Sequence, residues 1–365
     1  PPKSLSFLAS RARVTTMSDD VKPDKARGRV SMREVAALAQ VSIGTVSNVL
    51  NNPDRVLPTT RERVQEAIAE LGWIPNKQAQ HLRAGRSRTI GVALMDIANP
   101  FFADILRGAS AKLEAAGYSV LIGDSDQNLE RQARTLHGFL EQRVQGVILG
   151  PIGATPPEVA ELTAAGIPTV LFDRFAKDAE CCSVGVDDVA GGRIAVEHLL
   201  QAGHRSIAFV GGPSSLAQVR ERREGAEAAA AEAGATLLAI STPQLDFAGG
   251  RQAADEVVLL PTELRPTGVY CANDMTAIGM LQGLMRHGIR VPDDIAIVGY
   301  DDIEFAAAAA VPLSSVAQPR RELGAAAADL LLSEIAEDEE GRPHTHRSLR
   351  FTPTLAVRLS SAPHD

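Results

Sequence analysis

Hydrogen-bonding side chains recur at the carboxyl ends of short apolar runs: Asp96-Ile97-Ala98-Asn99, Asp124, Asp173-Arg174, Asn273-Asp274 and Asp301-Asp302. In doubly wound sheets ligands bind beyond those strand ends. The pattern therefore describes a polar pocket able to bond many hydroxyls. Phe101 and Phe102 follow the first of these ends. An aromatic face can cover the C–H side of a sugar ring while carboxylate, amide and guanidinium groups bond its hydroxyls. The same Asp and Asn residues also suit helix N-caps and turns, and the Phe pair also suits a core.

Other chemistries find little support. There is no GxxxxGK[ST] loop, and no GxGxxG follows the first strand. Gly211-Gly212-Pro213 is a turn rather than a phosphate cradle. No GxSxG is present, so no catalytic residue is assigned, and neither an enzyme nor a cofactor is expected. His344 and His346 form an H-x-H pair for which the sequence suggests no carboxylate or cysteine partner. A surface loop, and no metal site, is expected there. Cys271 lies in an apolar strand and reads as a small core residue. Three cysteines, with Cys181 and Cys182 adjacent, cannot make a disulfide framework or a paired CxxC zinc site. They fit a reducing cytoplasm.

The elements that must position these groups follow from periodicity. A chain of 365 residues implies two or three domains. Apolar runs lie at 90–95, 120–122, 147–149 and 169–172, and a second series lies at 207–210, 237–240, 269–271 and 295–298. Helical patterns intervene at 104–116, 129–142, 189–202 and 275–287. Short apolar strands alternating with helices predict parallel sheets covered on both faces, in two α/β subdomains. No apolar run reaches about 18 residues, so no membrane span is expected.

The net charge of −8 is uneven: residues 1–90 carry 15 Lys/Arg against 8 Asp/Glu, and the remainder 22 against 37. A basic front on an acidic body suggests that only the front meets a polyanion. Residues 1–30 are polar and are expected to be a disordered extension. They show no apolar signal region, and Met17 is read as a candidate native start. Residues 31–73 predict three short helices. Ser31-Met32-Arg33-Glu34 and Thr59-Thr60-Arg61-Glu62 are capping boxes, Val35, Leu38 and Ala39 form an apolar stripe, and Ser42 caps a helix from Ile43 to Leu50. This is the shape of a helix-turn-helix, whose second helix enters the major groove. Thr45, Ser47 and Asn48 should be exposed on it, with Val46, Val49 and Leu50 packed inward. Residues 76–84 form a helix-compatible stretch too short to hold alone in water.

These residues resemble the LacI/GalR family of bacterial repressors. The resemblance is carried by Val35-Ala36, by Val41-Ser42-Ile43-Gly44-Thr45-Val46-Ser47-Asn48-Val49-Leu50-Asn51 and by Asn99-Pro100-Phe101-Phe102. Gln142-Arg143-Val144-Gln145-Gly146, Ala202-Gly203-His204, Asn273-Asp274, Gly299-Tyr300-Asp301-Asp302 and Gln318-Pro319 continue it in order. It runs from about residue 31 to 358. It implies base readout from Ile43, Gly44 and Asn48, and phosphate contacts from Ser31, Thr45 and Ser47, with Ser42 beside them. Gly44 offers no side chain, so readout should lean on Asn48, Ile43, Thr45 and DNA shape. The 76–84 stretch matches the family's hinge helix, with Leu82 as the wedge into the minor groove and Asn76, Ala79 and Arg83 as further DNA contacts.

The remainder resembles periplasmic sugar-binding proteins, the ribose-binding kind especially. That implies an effector set of Asn99, Phe101, Phe102, Asp173, Arg174, Arg222, Asn273, Asp301 and Gln318. Arg222 is chosen over its neighbours for the spacing Arg222-x-x-Gly225.

The expected organisation is a headpiece over 31–75, a hinge and linker over 76–88, a core over 89–358 and a tail over 359–365. Within the core, one subdomain takes about 89–185 and 319–346 and the other about 186–317 and 347–358. The expected protein is a cytoplasmic homodimeric repressor of carbohydrate-utilisation genes. It binds a pseudo-palindromic operator and responds to a pentose or small hexose. A global regulator controlled by a protein co-regulator or a phosphosugar, or a purine-responsive repressor, stands as the alternative within the class. A transport-type solute-binding protein and a Rossmann dehydrogenase are the readings from other classes.

Overall fold

The computed structural model describes residues 30–73, 88–153, 156–176 and 181–362. The expected N-terminal extension and the hinge stretch, with Asn76, Ala79, Leu82 and Arg83, lie outside these. The chain divides into two compact units, one ending at Gln80 and one beginning at His81.

In the first unit, α1 (Met32–Leu38), α2 (Ile43–Asn51) and α3 (Pro58–Leu71) form a small bundle. The Glu34 carboxylate accepts from the backbone N–H and hydroxyl of Ser31 at 2.6 and 2.8 Å, closing the first helix end. Ser42 caps α2 by accepting from the Thr45 N–H at 3.0 Å. The expected capping box at Thr59 is not formed. Leu57 is the N-cap and Pro58 the first residue of α3, because proline's fixed φ suits a position whose N–H needs no partner. Gly72 ends α3 in the left-handed region, at φ 59°. Val35, Ala36, Ala39, Val46, Val49, Val64, Ala67 and Trp73 make the core. Leu38, expected in the apolar stripe, is instead 43% exposed, and Ala36 packs inward.

The second unit holds two six-stranded sheets. In the first, β1 (Thr89–Leu94), β2 (Ser119–Asp124), β3 (Gly146–Leu149), β4 (Thr169–Phe172), β5 (Cys182–Val186) and β11 (Ser348–Phe351) lie in the order β11-β5-β4-β3-β1-β2. The second orders β6 (Ser206–Gly211), β7 (Thr236–Ser241), β8 (Gly268–Cys271), β9 (Ala296–Asp301), β10 (Ser314–Ala317) and β12 (Thr354–Ala356) as β12-β10-β9-β8-β6-β7. All pairings are parallel except β10 with β12. Helices cover both faces, as the near-continuous burial of β1, β3, β4, β8 and β9 requires. Among them are α4 (Pro100–Ala115), α5 (Leu129–Glu141), α6 (Glu158–Ala164), α7 (Asp188–Gln201) and α8 (Ala217–Glu232). They continue with α9 (Phe247–Leu259), α10 (Asp274–Arg286), α11 (Glu304–Ala307) and α12 (Arg320–Glu339).

The chain passes between the sheets after β5, after β10 and after β11. The last passage differs from expectation. Residues 348–351 belong with the first subdomain, because Ser348–Phe351 pairs parallel with Ser183–Val186. Only after Phe351 does the chain return to the second sheet.

One helix pair sets the geometry around Arg222. A Cβ on Gly225 of α8 would meet the Val189 carbonyl oxygen of α7 at 1.9 Å, and one on Gly192 of α7 would meet the Arg222 oxygen at 1.9 Å. Two absent side chains thus let the backbones touch and press Arg222 against the start of α7. Gly138, inside α5, has open space around it. Gly225→Ala should lower stability in urea unfolding by about 1–3 kcal/mol, since backbone cannot yield as a side-chain tip can. Gly138→Ala should raise it by about 0.5–1 kcal/mol through helix propensity.

Candidate functional site

On the first unit, α2 presents Ile43, Gly44 and Asn48 to solvent, while Val46 and Val49 are buried. Thr45 and Ser47 are only half-exposed, short of the full exposure expected. The Thr45 hydroxyl lies 2.9 Å from that of Ser42, so the two share a hydrogen bond across the first turn. Leu50 is half-buried at the edge of the core. A Cβ at Gly44 would meet only the Ser42 hydroxyl, at 3.5 Å, so the helix surface there has room for a side chain. Ser31 and Ser42 mark helix starts whose N–H groups suit phosphate oxygens.

In the second unit, the carboxyl ends of both sheets contribute to one narrow cleft, whose lining includes Asn99, Phe101, Phe102, Asp173, Arg222, Asn273 and Asp301. Asn99 caps α4 and Asn273 caps α10, each accepting a backbone N–H with its side-chain oxygen. Capping and pocket lining therefore coexist at these residues. Phe101 and Phe102 are both 2% exposed and meet edge to face at 5.0 Å, so the same pair serves as core and as cleft wall.

Arg222 is the centre of the site. Its Nε donates to Asp188 Oδ1 at 2.8 Å and its Nη1 to the Ala272 carbonyl at 2.6 Å. Asp301 Oδ1 lies 3.8 Å from Nη1, and the guanidinium carbon sits 3.7 Å over the Tyr300 ring. Burial alone would depress this cation. The carboxylates of Asp188, Asp301 and Asp173, together with Tyr300, outweigh burial and hold it charged. Burial pushes Asp173 up to about 8, reinforced by Asp188 and opposed by Arg222 and the Gln218 hydrogen bond. Asp301 rises to about 6, again from burial, against the pull of Arg222 and of hydrogen bonds from Gln318 and Asn99. Asp173 and Asp301 also adopt positive φ, 55° and 102°. Such strain at strand ends is held in place only by strong surrounding constraints.

The remaining predicted residues lie nearby or apart. Gln318 is buried behind the cleft and donates to Asp301 Oδ1 at 2.8 Å. Arg174 is half-buried and is not part of the lining; its backbone bridges to Val184. Asp274 turns away to accept from Ile303 N–H and the Ser315 hydroxyl, a structural latch. Gln218, which donates to Asp173 Oδ2 at 2.8 Å, and Asp188 escaped the sequence reading. Asp188 stands beside an N-cap, Asp187, and an Asp-Asp pair at a helix start reads as capping alone.

One expectation is overturned by position. His344 and His346 do not stand alone on a surface loop. Glu334 and Glu337 of the preceding helix and Cys182 surround them, Cys182 brought there by the pairing of β11 with β5.

Among the described residues no helix is long and apolar enough to cross a membrane. A capped helix-turn-helix bundle joined in one chain to a two-sheet ligand-binding core defines a ligand-responsive DNA-binding regulator. Residues 31–76 match the bacterial regulatory proteins of the lacI family, and residues 196–361 match a periplasmic binding protein-like domain. The ribose operon repressor of Haemophilus influenzae is 32% identical over 332 residues, 90% of this chain and 98% of that protein. The lac repressor dimer bound to operator and an anti-inducer superposes with a TM-score of 0.77 at 29% identity, covering 92% of this chain and all of that one. A LacI family regulator from Enterococcus faecalis with bound ribose gives a TM-score of 0.68 at 29% identity, covering 76% and 100%. The chain belongs to the LacI family and is a DNA-binding transcriptional regulator.

The raised aspartates carry a pH signature. Against an ordinary value of 3.8, the folded core keeps a proton on Asp173 that the unfolded chain releases. Stability contributed by the protonated form is full at low pH and is lost as pH rises toward about 8. Asp173→Asn should flatten the fall in melting temperature between about pH 6 and pH 8. Below about pH 6 Asp301 adds to the same fall, so there the slope should be reduced rather than abolished. Melting curves of the two proteins that run parallel from pH 5 to 9 would contradict this assignment.

Proposed function

We propose that this regulator is a repressor of carbohydrate-utilisation genes, relieved or reinforced by a neutral pentose or small hexose of the ribose type bound in the cleft. The observation that carries the reading is the charge of the cleft wall. Arg222 is its cation, already committed to Asp188 and the Ala272 carbonyl, while Asp96, Asp173 and Asp301 share the lining. Among the described lining residues no second cation is present to receive the negative charge of a phosphosugar. A neutral polyol brings hydroxyl donors, and Asp173 Oδ1 is buried without a hydrogen-bond partner. Phe101 and Phe102 supply the apolar face. The ribose-named relative and the ribose-bound neighbour point the same way.

On the DNA side, the chain acts as a homodimer reading two operator half-sites through Ile43, Asn48 and the adjoining helix starts. Coupling between effector and operator needs only about 1–3 kcal/mol.

Titration calorimetry should detect D-ribose binding and no binding of ribose 5-phosphate. Asp301→Asn should weaken ribose at least ~10-fold, because a charge-assisted bond to a hydroxyl is lost. Operator affinity without sugar should stay close to wild type. Unaltered ribose affinity in that variant would remove Asp301 from the site, and tight phosphosugar binding would sink the charge argument. For the headpiece, Gly44→Gln should fold normally and shift operator preference at one base pair per half-site by about 1–3 kcal/mol, read by binding to a randomised operator library. An unchanged preference would place Gly44 away from the bases.

A further inference from the structure

The histidine pair singled out in the sequence belongs to a cluster that effector binding and DNA recognition do not use. Cys182 opens β5, Glu334 lies in the last turns of α12, and His344 and His346 stand in the connection from α12 to β11. One ligand atom from each of these four residues lies within 4.8 Å of every other. Cys182 Sγ is 3.1 Å from His344 Nε2 and 4.0 Å from His346 Nδ1, and Glu334 Oε2 is 3.6 Å from His344 Nε2. A tetrahedral zinc site with bonds of about 2.0–2.3 Å has ligand–ligand edges of about 3.3–3.8 Å. The three separations bracket that range.

We propose that Cys182, Glu334, His344 and His346 form a closed, four-ligand zinc site. Three further observations support it. Glu334 Oε2 is buried without a hydrogen-bond partner, an acceptor left for a cation to satisfy. His344 turns Nε2 toward the cluster while Nδ1 bonds Glu337 Oε2 at 2.8 Å, the carboxylate–histidine arrangement that orients metal-binding imidazoles. The Arg347 backbone N–H reaches Cys182 Sγ at 3.4 Å, where it would stabilise a thiolate.

The charges also balance. Zn²⁺ with one thiolate, one carboxylate and two neutral imidazoles is a neutral unit, which a half-buried position tolerates. Metal capture forms the Zn–Sγ bond as the thiol proton leaves to solvent, with no change of oxidation state.

Four protein ligands leave no open position, so the role is structural. The site pins the end of α12 and the 340–347 connection to the amino end of β5. It lies at the opposite end of that strand from Asp188, the partner of Arg222, and so is distinct from the effector cleft.

The test uses the full chain purified without a histidine tag. Elemental analysis after growth with zinc should find about one zinc per chain, consistent with a four-ligand site. After chelator treatment, cobalt(II) should give a thiolate-to-cobalt charge-transfer band in the near-ultraviolet and the visible bands of a tetrahedral site. Cys182→Ser should abolish the charge-transfer band. His346→Gln, at a half-exposed position that spares the strand, should lower zinc affinity at least ~100-fold, and Glu337→Gln about 10–100-fold. His287→Gln, at an exposed histidine paired with Asp255, should leave zinc uptake unchanged. Circular dichroism verifies that each variant is folded. The proposal is overturned if wild-type protein binds neither zinc nor cobalt, or if folded His346→Gln binds zinc as tightly as wild type.

Discussion

A guanidinium buried to 4% exposure is tenable only if the surroundings are built to receive it. Arg222 draws one partner from the first turn of α7, one from the end of β8, and another, with an aromatic ring beneath it, from the end of β9. Each ion withdrawn from water costs several kcal/mol unless it is paired and hydrogen-bonded. The register of those three elements is therefore tied to a single side chain. Asp301 extends the constraint by holding Gln318, where the chain passes toward the first sheet, and Arg320 binds the carbonyl oxygens of Asp301 and Asp302 while its Nε reaches Asp104. The cleft wall and the passage between the sheets are in this sense one hydrogen-bonded object.

That object was partly legible in the sequence. The strands β1, β3, β4 and β8 are short apolar runs and announce themselves, as do Asn99, Asp173, Asn273 and Asp301 at the strand ends. β5 is broken up by Ser183 and Gly185, and β11 is an edge strand, Ser-Leu-Arg-Phe, whose alternation runs for only four residues. Missing β11 misplaced the last passage between sheets. It also hid the cysteine partner of the two histidines, because Cys182 lies 162 residues before His344 and strand pairing joins them, whereas Glu337 is only seven residues away. Arg222 sits on a helix rich in arginine and glutamate, where nothing local separates it from Arg220 and Arg223. Its choice rested on the family resemblance, and its physical reason, the contact through Gly225, needs the three-dimensional packing of α7 on α8.

The two units differ in how their chemistry is encoded. The headpiece relies on local signals: Ser31 and Ser42 at helix starts, Gly72 at a helix end, and a core drawn from fewer than fifty consecutive residues. Residues 1–90 together are basic through the stretches 1–30 and 76–90, since residues 31–75 carry four Lys/Arg against five Asp/Glu, while the rest of the chain is acidic. An acidic core is repelled by phosphate, which confines non-specific DNA affinity to the front of the chain. The cleft instead gathers residues from positions 95 to 301, and its polar groups are useful only when all are in place.

The late passage of the chain from β11 to β12 bears on the order of events during synthesis. β11 closes one edge of the first sheet and β12 one edge of the second, and both lie after residue 347. Neither sheet can be completed until nearly the whole polypeptide has left the ribosome, whereas the headpiece has all its partners by residue 73. Domains fold as units, amino-terminal first, as the chain emerges. A translating ribosome would thus carry a finished DNA-binding bundle on an unfinished core for most of the elongation time. Prematurely terminated products would share that lopsided state: able to form the headpiece, and unable to form the sheet edges on which ligand response depends.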